Sequence, residues 1–179
     1  MSKLQKVLYK KVEVERKEIS MENNIKKYLE NNPENPKYLF HGSPKLMEEL
    51  KPQQSHDSGG NQDNVDCAVF MYPVFYKCVP YALKKGFIYK EEFGDDSWFE
   101  TYNRTIDYPY AVLNNRDIDM DAIGYVYVFE RNDDMTKDTI SYQYRCYHSL
   151  KPIDIVQVQM KDYLDLFEIR NSNKNNFKL

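Results

Sequence analysis

The sequence predicts an α+β domain in which strands outnumber helices, and three observations carry that reading. The apolar runs of the C-terminal two thirds, such as Cys67–Met71 and Gly124–Phe129, are short and bounded by polar, Gly or Pro residues, as strands are. They do not alternate regularly with helical patterns, so a βαβ succession is not expected. Finally, 16 tyrosines and 9 phenylalanines against one tryptophan suit half-buried strands and a polar-lipped cleft, where one end of a ring meets water.

Taken in order, residues 1–30 carry Leu4, Val7, Leu8, Val12, Ile19, Ile25, Tyr28 and Leu29 in an approximate helical stripe. One or two helices are expected there. The basic run Lys3, Lys6, Lys10 and Lys11 reads as a solvated face, with a partner or nucleic-acid contact as the alternative. Asn31–Pro36 stops the stripe with two prolines. Tyr38–Gly42 then reads as a strand that ends on His41, and Lys45–Leu50 has helical spacing. Gln53–Asp66 is polar and without periodicity, hence a loop, and loops of that length are usually functional or disordered.

Cys67–Met71 is the next expected strand. Pro73 starts a helix through Leu83 that Pro80 should kink and Gly86 should cap. Phe87–Tyr89 and Tyr110–Leu113 read as strands separated by an acidic, aromatic segment around Trp98. Asp117, Asp119 and Asp121 have the spacing of a calcium loop but lack its glycine and terminal glutamate, so a solvated turn is expected. Gly124–Phe129 and Ile153–Met160 are strands, and Asp162–Ile169 a short closing helix.

Several function classes drop out. With 41% hydrophobic and 30% charged residues, the 179-residue chain reads as one globular domain with no run near the roughly 20 apolar residues of a membrane span. No secretory signal is evident, and Cys67, Cys78 and Cys146 form no disulfide framework, so a cytoplasmic location is expected. A net charge of −3 argues against a general nucleic-acid binder. The sequence has no Gly-rich phosphate loop, no Gly-x-Ser-x-Gly elbow and no His-Glu-x-x-His helix. His41, His56 and His148 stand at no recognised ligand spacing, so no metal is expected.

His41 draws attention because Gly42-Ser43-Pro44 follows it at once. The turn exposes backbone beside the imidazole, the glycine permits close approach of a ligand, and the serine adds a hydroxyl. A histidine in an ordinary turn is the competing reading.

The wider context, Tyr38-Leu-Phe-His-Gly-Ser-Pro44, the Leu50-Lys-Pro52 turn and Cys67-Ala-Val-Phe-Met-Tyr72, resembles the opening of small bacterial and phage proteins with the ADP-ribosyltransferase fold. That superfamily includes the RNA 2′-phosphotransferases. The segments Gly124–Phe129, Tyr144 and Leu150–Val156 resemble its final strands. The similarity spans roughly residues 38–169. It implies split antiparallel sheets around a cleft for a domain over 37–170, to which the residue pattern adds an N-terminal helical extension over 1–30 and a polar tail over 171–179.

The resemblance also implies NAD⁺ as substrate, with His41 on the ribose, Gly42 and Ser43 beside the nicotinamide, and Tyr72 lining the ring pocket. The polar loop containing His56 resembles one that covers the cleft. Where many members carry Glu-Trp, this chain has Gln143-Tyr144. A glutamate would oppose the positive charge that grows on the ribose and could serve as a base, whereas glutamine offers only a dipole. The expected activity is therefore transfer of ADP-ribose to a protein or nucleic-acid acceptor, with Gln143 in the cleft and His56 as a possible base. A binding module that has lost the acid is the alternative. A 2′-phosphotransferase ranks third, because no arginine lies beside His41 in the sequence.

Overall fold

The computed structural model describes residues 25–54, 66–101, 110–138 and 142–171. Its centre is an antiparallel sheet of β1 (Tyr38–Ser43), β8 (Ile123–Glu130) and β11 (Asp154–Gln159), with β8 in the middle. Side chains alternate across a strand. Phe40, Val126, Val128, Val156 and Val158 therefore enter one core, while Leu39, Tyr127 and Phe129 enter another.

The first core is closed by α1 (Phe75–Leu83), whose Phe75, Val79, Ala82 and Leu83 recur at helical spacing on one buried face. The helix lies almost on the sheet backbone. A Cβ at Gly42 would stand 1.9 Å from the Cys78 carbonyl oxygen, and one at Gly124 would stand 2.1 Å from that of Ala82. Pro80 sits inside the helix, and a 3₁₀ turn, Lys84–Gly86, follows it in place of a glycine cap.

The second core is closed by a four-stranded sheet in the order β2 (Gln53–Gln54), β3 (Cys67–Met71), β10 (Tyr144–Cys146) and β9 (Thr136–Lys137). Val69, Met71, Tyr144 and Cys146 face it. The two sheets touch where Phe40 and Tyr72 exchange backbone hydrogen bonds of 2.8 Å each way. Two smaller sheets complete the first core: β4 (Phe87–Ile88) with β7 (Asp117–Ile118), and β5 (Trp98–Thr101) with β6 (Ala111–Asn114) and β12 (Phe167–Arg170).

The architecture is α+β with mostly antiparallel sheets, four of them among the described residues. The short strands β4 to β7 and β12 pair among themselves around the first core and do not extend the central ladder. Three local expectations fail. Lys45–Leu50 is not a helix: Tyr127 Oη accepts the Met47 N–H at 2.7 Å and donates to the Lys45 carbonyl at 2.6 Å, so this backbone is satisfied from outside the segment. Trp98–Thr101 is a strand and not a spacer. The closing helix is replaced by 3₁₀ turns at Met160–Asp162 and Leu164–Leu166 and by β12, which pairs in parallel with β6.

Of the N-terminal stripe, residues 25–29 form a helical turn. Tyr28 is buried there and donates to Asp154 Oδ2 at 2.6 Å. The remainder of the stripe lies outside the described residues, as does the tail from 172 onward. No helix among the described residues is long and apolar enough to cross a membrane.

Candidate functional site

A cleft of about 530 Å³ opens between the end of β1, the four-stranded sheet and the C-terminal end of α1. It falls within the usual size of a small-molecule site. His41 enters it from β1, two residues before the strand ends at Ser43 and so not at its last position as expected. The half-buried imidazole is oriented by the four-stranded sheet, because Nδ1 lies 2.8 Å from the Phe70 carbonyl oxygen. A carbonyl can only accept, so Nδ1 carries a proton. Burial pulls the His41 pKa below its ordinary value, helped by Lys84 and opposed by the Phe70 hydrogen bond. The ring is then neutral near pH 7, and Nε2 is an acceptor.

Tyr72 follows β3 and Gln143 precedes β10, and both line the same cleft. The Gln143 amide donates to the Tyr72 hydroxyl. Tyr72 stacks on Tyr81 with ring centroids 5.9 Å apart, its hydroxyl 3.3 Å from that of Tyr81. The Tyr81 hydroxyl is in turn 2.8 Å from Thr101 Oγ1. Burial, and then the neighbouring Tyr81, hold the Tyr72 pKa well above its usual value, so this phenol is not a base at neutral pH. Ser43 is buried, and its Oγ accepts the Lys45 N–H at 3.2 Å, which leaves the hydroxyl proton to donate.

The electrostatics of the lining run against those of the whole chain. Lys45, Lys51, Lys84 and Lys85 line the cleft, and among the described residues no aspartate or glutamate does. A chain of net charge −3 thus gathers positive charge at this opening, which suits a phosphate-bearing ligand.

His41, Gly42, Ser43, Tyr72 and Gln143, far apart in sequence, therefore meet at one cleft, and His56 lies outside the described residues. Gly42 is a glycine for a reason other than the expected one: its missing Cβ makes room for α1, while its backbone lines the cleft. Sequence reasoning missed Phe70, Tyr81, Lys84 and Lys85. The Lys84-Lys85 pair after an apolar helix was the available signal, though it reads equally as ordinary charge at a helix C-terminus. Among the described residues no three of His, Cys, Asp and Glu gather as a metal site, and the Asp119 carboxylate instead accepts the Asp121 N–H at 3.0 Å in a local turn.

Comparison with protein-family models, with curated proteins and with solved structures finds no match for this chain.

Proposed function

We propose that the cleft binds NAD⁺ and that the protein is an ADP-ribosyltransferase, passing ADP-ribose to a protein or nucleic-acid acceptor. The observation that carries this reading is the convergence of His41, Tyr72 and Gln143 from three strands on one lysine-lined cleft. The lysines answer the pyrophosphate charge. Neutral His41 offers Nε2 to a ribose hydroxyl, and Tyr72 and Tyr81 supply aromatic surface for a ring. In the reaction the bond from ribose C1 to the nicotinamide nitrogen breaks, its electron pair neutralising the pyridinium ring, while an acceptor nucleophile closes on C1 and releases its proton. Gln143 turns an amide dipole, and not a charge, toward the oxocarbenium-like carbon.

The second reading, a nucleotide-binding module of the same fold, is favoured by one specific observation: no carboxylate lines the cleft among the described residues. Calorimetry with NAD⁺, followed by incubation with labelled NAD⁺ and cell lysate, separates the two. Binding with nicotinamide release and label transfer is the result expected of the transferase. Binding without turnover selects the module, and no binding at all removes both.

A further inference from the structure

Beside the cleft, and outside its lining, Arg145 occupies the middle of β10. Its neighbours Tyr144 and Cys146 point into the second core, so by strand alternation Arg145 stands on the opposite face of the sheet. There its Nη1 pairs with Asp66 Oδ2 at 2.6 Å, its Nη2 pairs with Asp138, and the guanidinium carbon lies 5.8 Å from the centre of the Phe70 ring. The Arg145 side chain is only 14% exposed and that of Asp138 only 16%. A planar fork that grips two carboxylates at once is a task for arginine, not lysine.

What these partners do next gives the cluster its interest. Phe70 is the residue whose carbonyl receives the His41 Nδ1–H. Asp138 donates its backbone N–H to the Gln143 backbone carbonyl at 2.7 Å, tying the residue after β9 to the one before β10. Asp66 immediately precedes β3, which carries Phe70. One guanidinium thus holds the start of β3, the ring of Phe70 and the residue tied to Gln143. We infer that Arg145 is a positioning residue: it does not itself line the cleft but sets the orientation of Gln143 through Asp138, and of His41 through the lining residue Phe70. Any consequence for NAD⁺ rests on the functional reading above, while the placement of the two side chains does not.

The test uses the full chain and reads the side chains directly. In Arg145→Lys the charge stays and the fork is lost. The side-chain amide resonances of Gln143 and the ring nitrogen resonances of His41 should both move, well below the melting temperature. Asp138→Asn, a milder change that keeps an acceptor, should move Gln143 and leave His41 in place; it decides the matter if Arg145→Lys does not fold. Unmoved Gln143 resonances in a folded Arg145→Lys or Asp138→Asn protein overturn the inference, as does a loss of melting temperature with both reporters unchanged. NAD⁺ affinity, measured in parallel, should fall several-fold in Arg145→Lys. A wild-type chain that fails to bind NAD⁺ sinks the functional reading, and the resonances still decide the role of Arg145.

Discussion

The two faces of the central sheet use the same strands for opposite ends. On the face toward α1, Phe40, Gly42 and Gly124 meet the helix so closely that two missing β-carbons are part of the fit. On the other face Leu39, His41 and Ser43 begin in a dry core and finish at a cleft lined with lysines. Moving one residue along β1 exchanges a packing duty for a chemical one. The contrast teaches that a glycine beside a candidate catalytic residue can belong to the scaffold, and that alternation along the strand tells the two apart.

The sharpest way to break this comparison is Gly42→Ala. With backbone in the way of the new methyl group, the helix must shift, and a loss of more than about 3 kcal/mol is expected in chemical denaturation. If Gly42 served only ligand approach, the variant would keep its stability and lose nucleotide affinity alone. On the opposite face His41→Ala should do the reverse: little change in melting temperature, with NAD⁺ binding in calorimetry weakened. Unchanged affinity would take His41 out of the site.

Gln143 tests the chemistry of the same face. A carboxylate placed opposite a developing cation should raise NAD⁺ hydrolysis in Gln143→Glu, while Gln143→Ala should lower any wild-type turnover. Wild-type rates in both variants of an active enzyme would remove this residue from the mechanism.

The pH profile is a gentler probe. His41 has a folded pKa below its ordinary value of about 6.5, so the unfolded chain takes up a proton first as the pH falls. Its contribution is complete above that value and is lost as the pH drops through the folded pKa. A wild-type chain should therefore lose stability below about pH 6.5 more steeply than His41→Ala does, and parallel profiles would exclude the effect. The smallest expected change is Tyr28→Phe. It removes the hydrogen bond to Asp154 on the outer strand and should cost about 1 kcal/mol, read as a lower denaturation midpoint.

Much of this arrangement was legible in the sequence. Cys67–Met71 and the strand around Gly124–Phe129 are apolar enough to be recognised alone, and Ile153–Met160 shows itself by alternation, with Val156 and Val158 buried and Gln157 exposed. The failures share a cause. Lys45–Leu50 has helical spacing, yet its backbone is captured by Tyr127, some 80 residues away. Phe167–Arg170 takes its ladder from Ala111–Asn114, a partner that no local periodicity announces. The site divides in the same way. His41, Gly42, Ser43, Tyr72 and Gln143 stand in the short motifs that carry the resemblance and share one cleft, whereas Tyr81 is hidden among the apolar residues of α1, and Phe70 contributes a backbone oxygen that any residue could supply.

The pairing of β1 with β8 also has a consequence for the growing chain. Tyr38–Ser43 is made well before its register partners, which run from Ser43↔Tyr125 to Tyr38↔Glu130, and Gln143 comes later still. At roughly 5–20 residues per second, the ribosome delivers Gln143 on the order of 5–20 s after His41. For most of that interval the first strand lacks its hydrogen-bonded neighbour β8, and for all of it the Gln143 side of its cleft. A nascent chain stalled before residue 123 should therefore leave Leu39 and Phe40 uncovered, and the site comes into being only once Gln143 has been added.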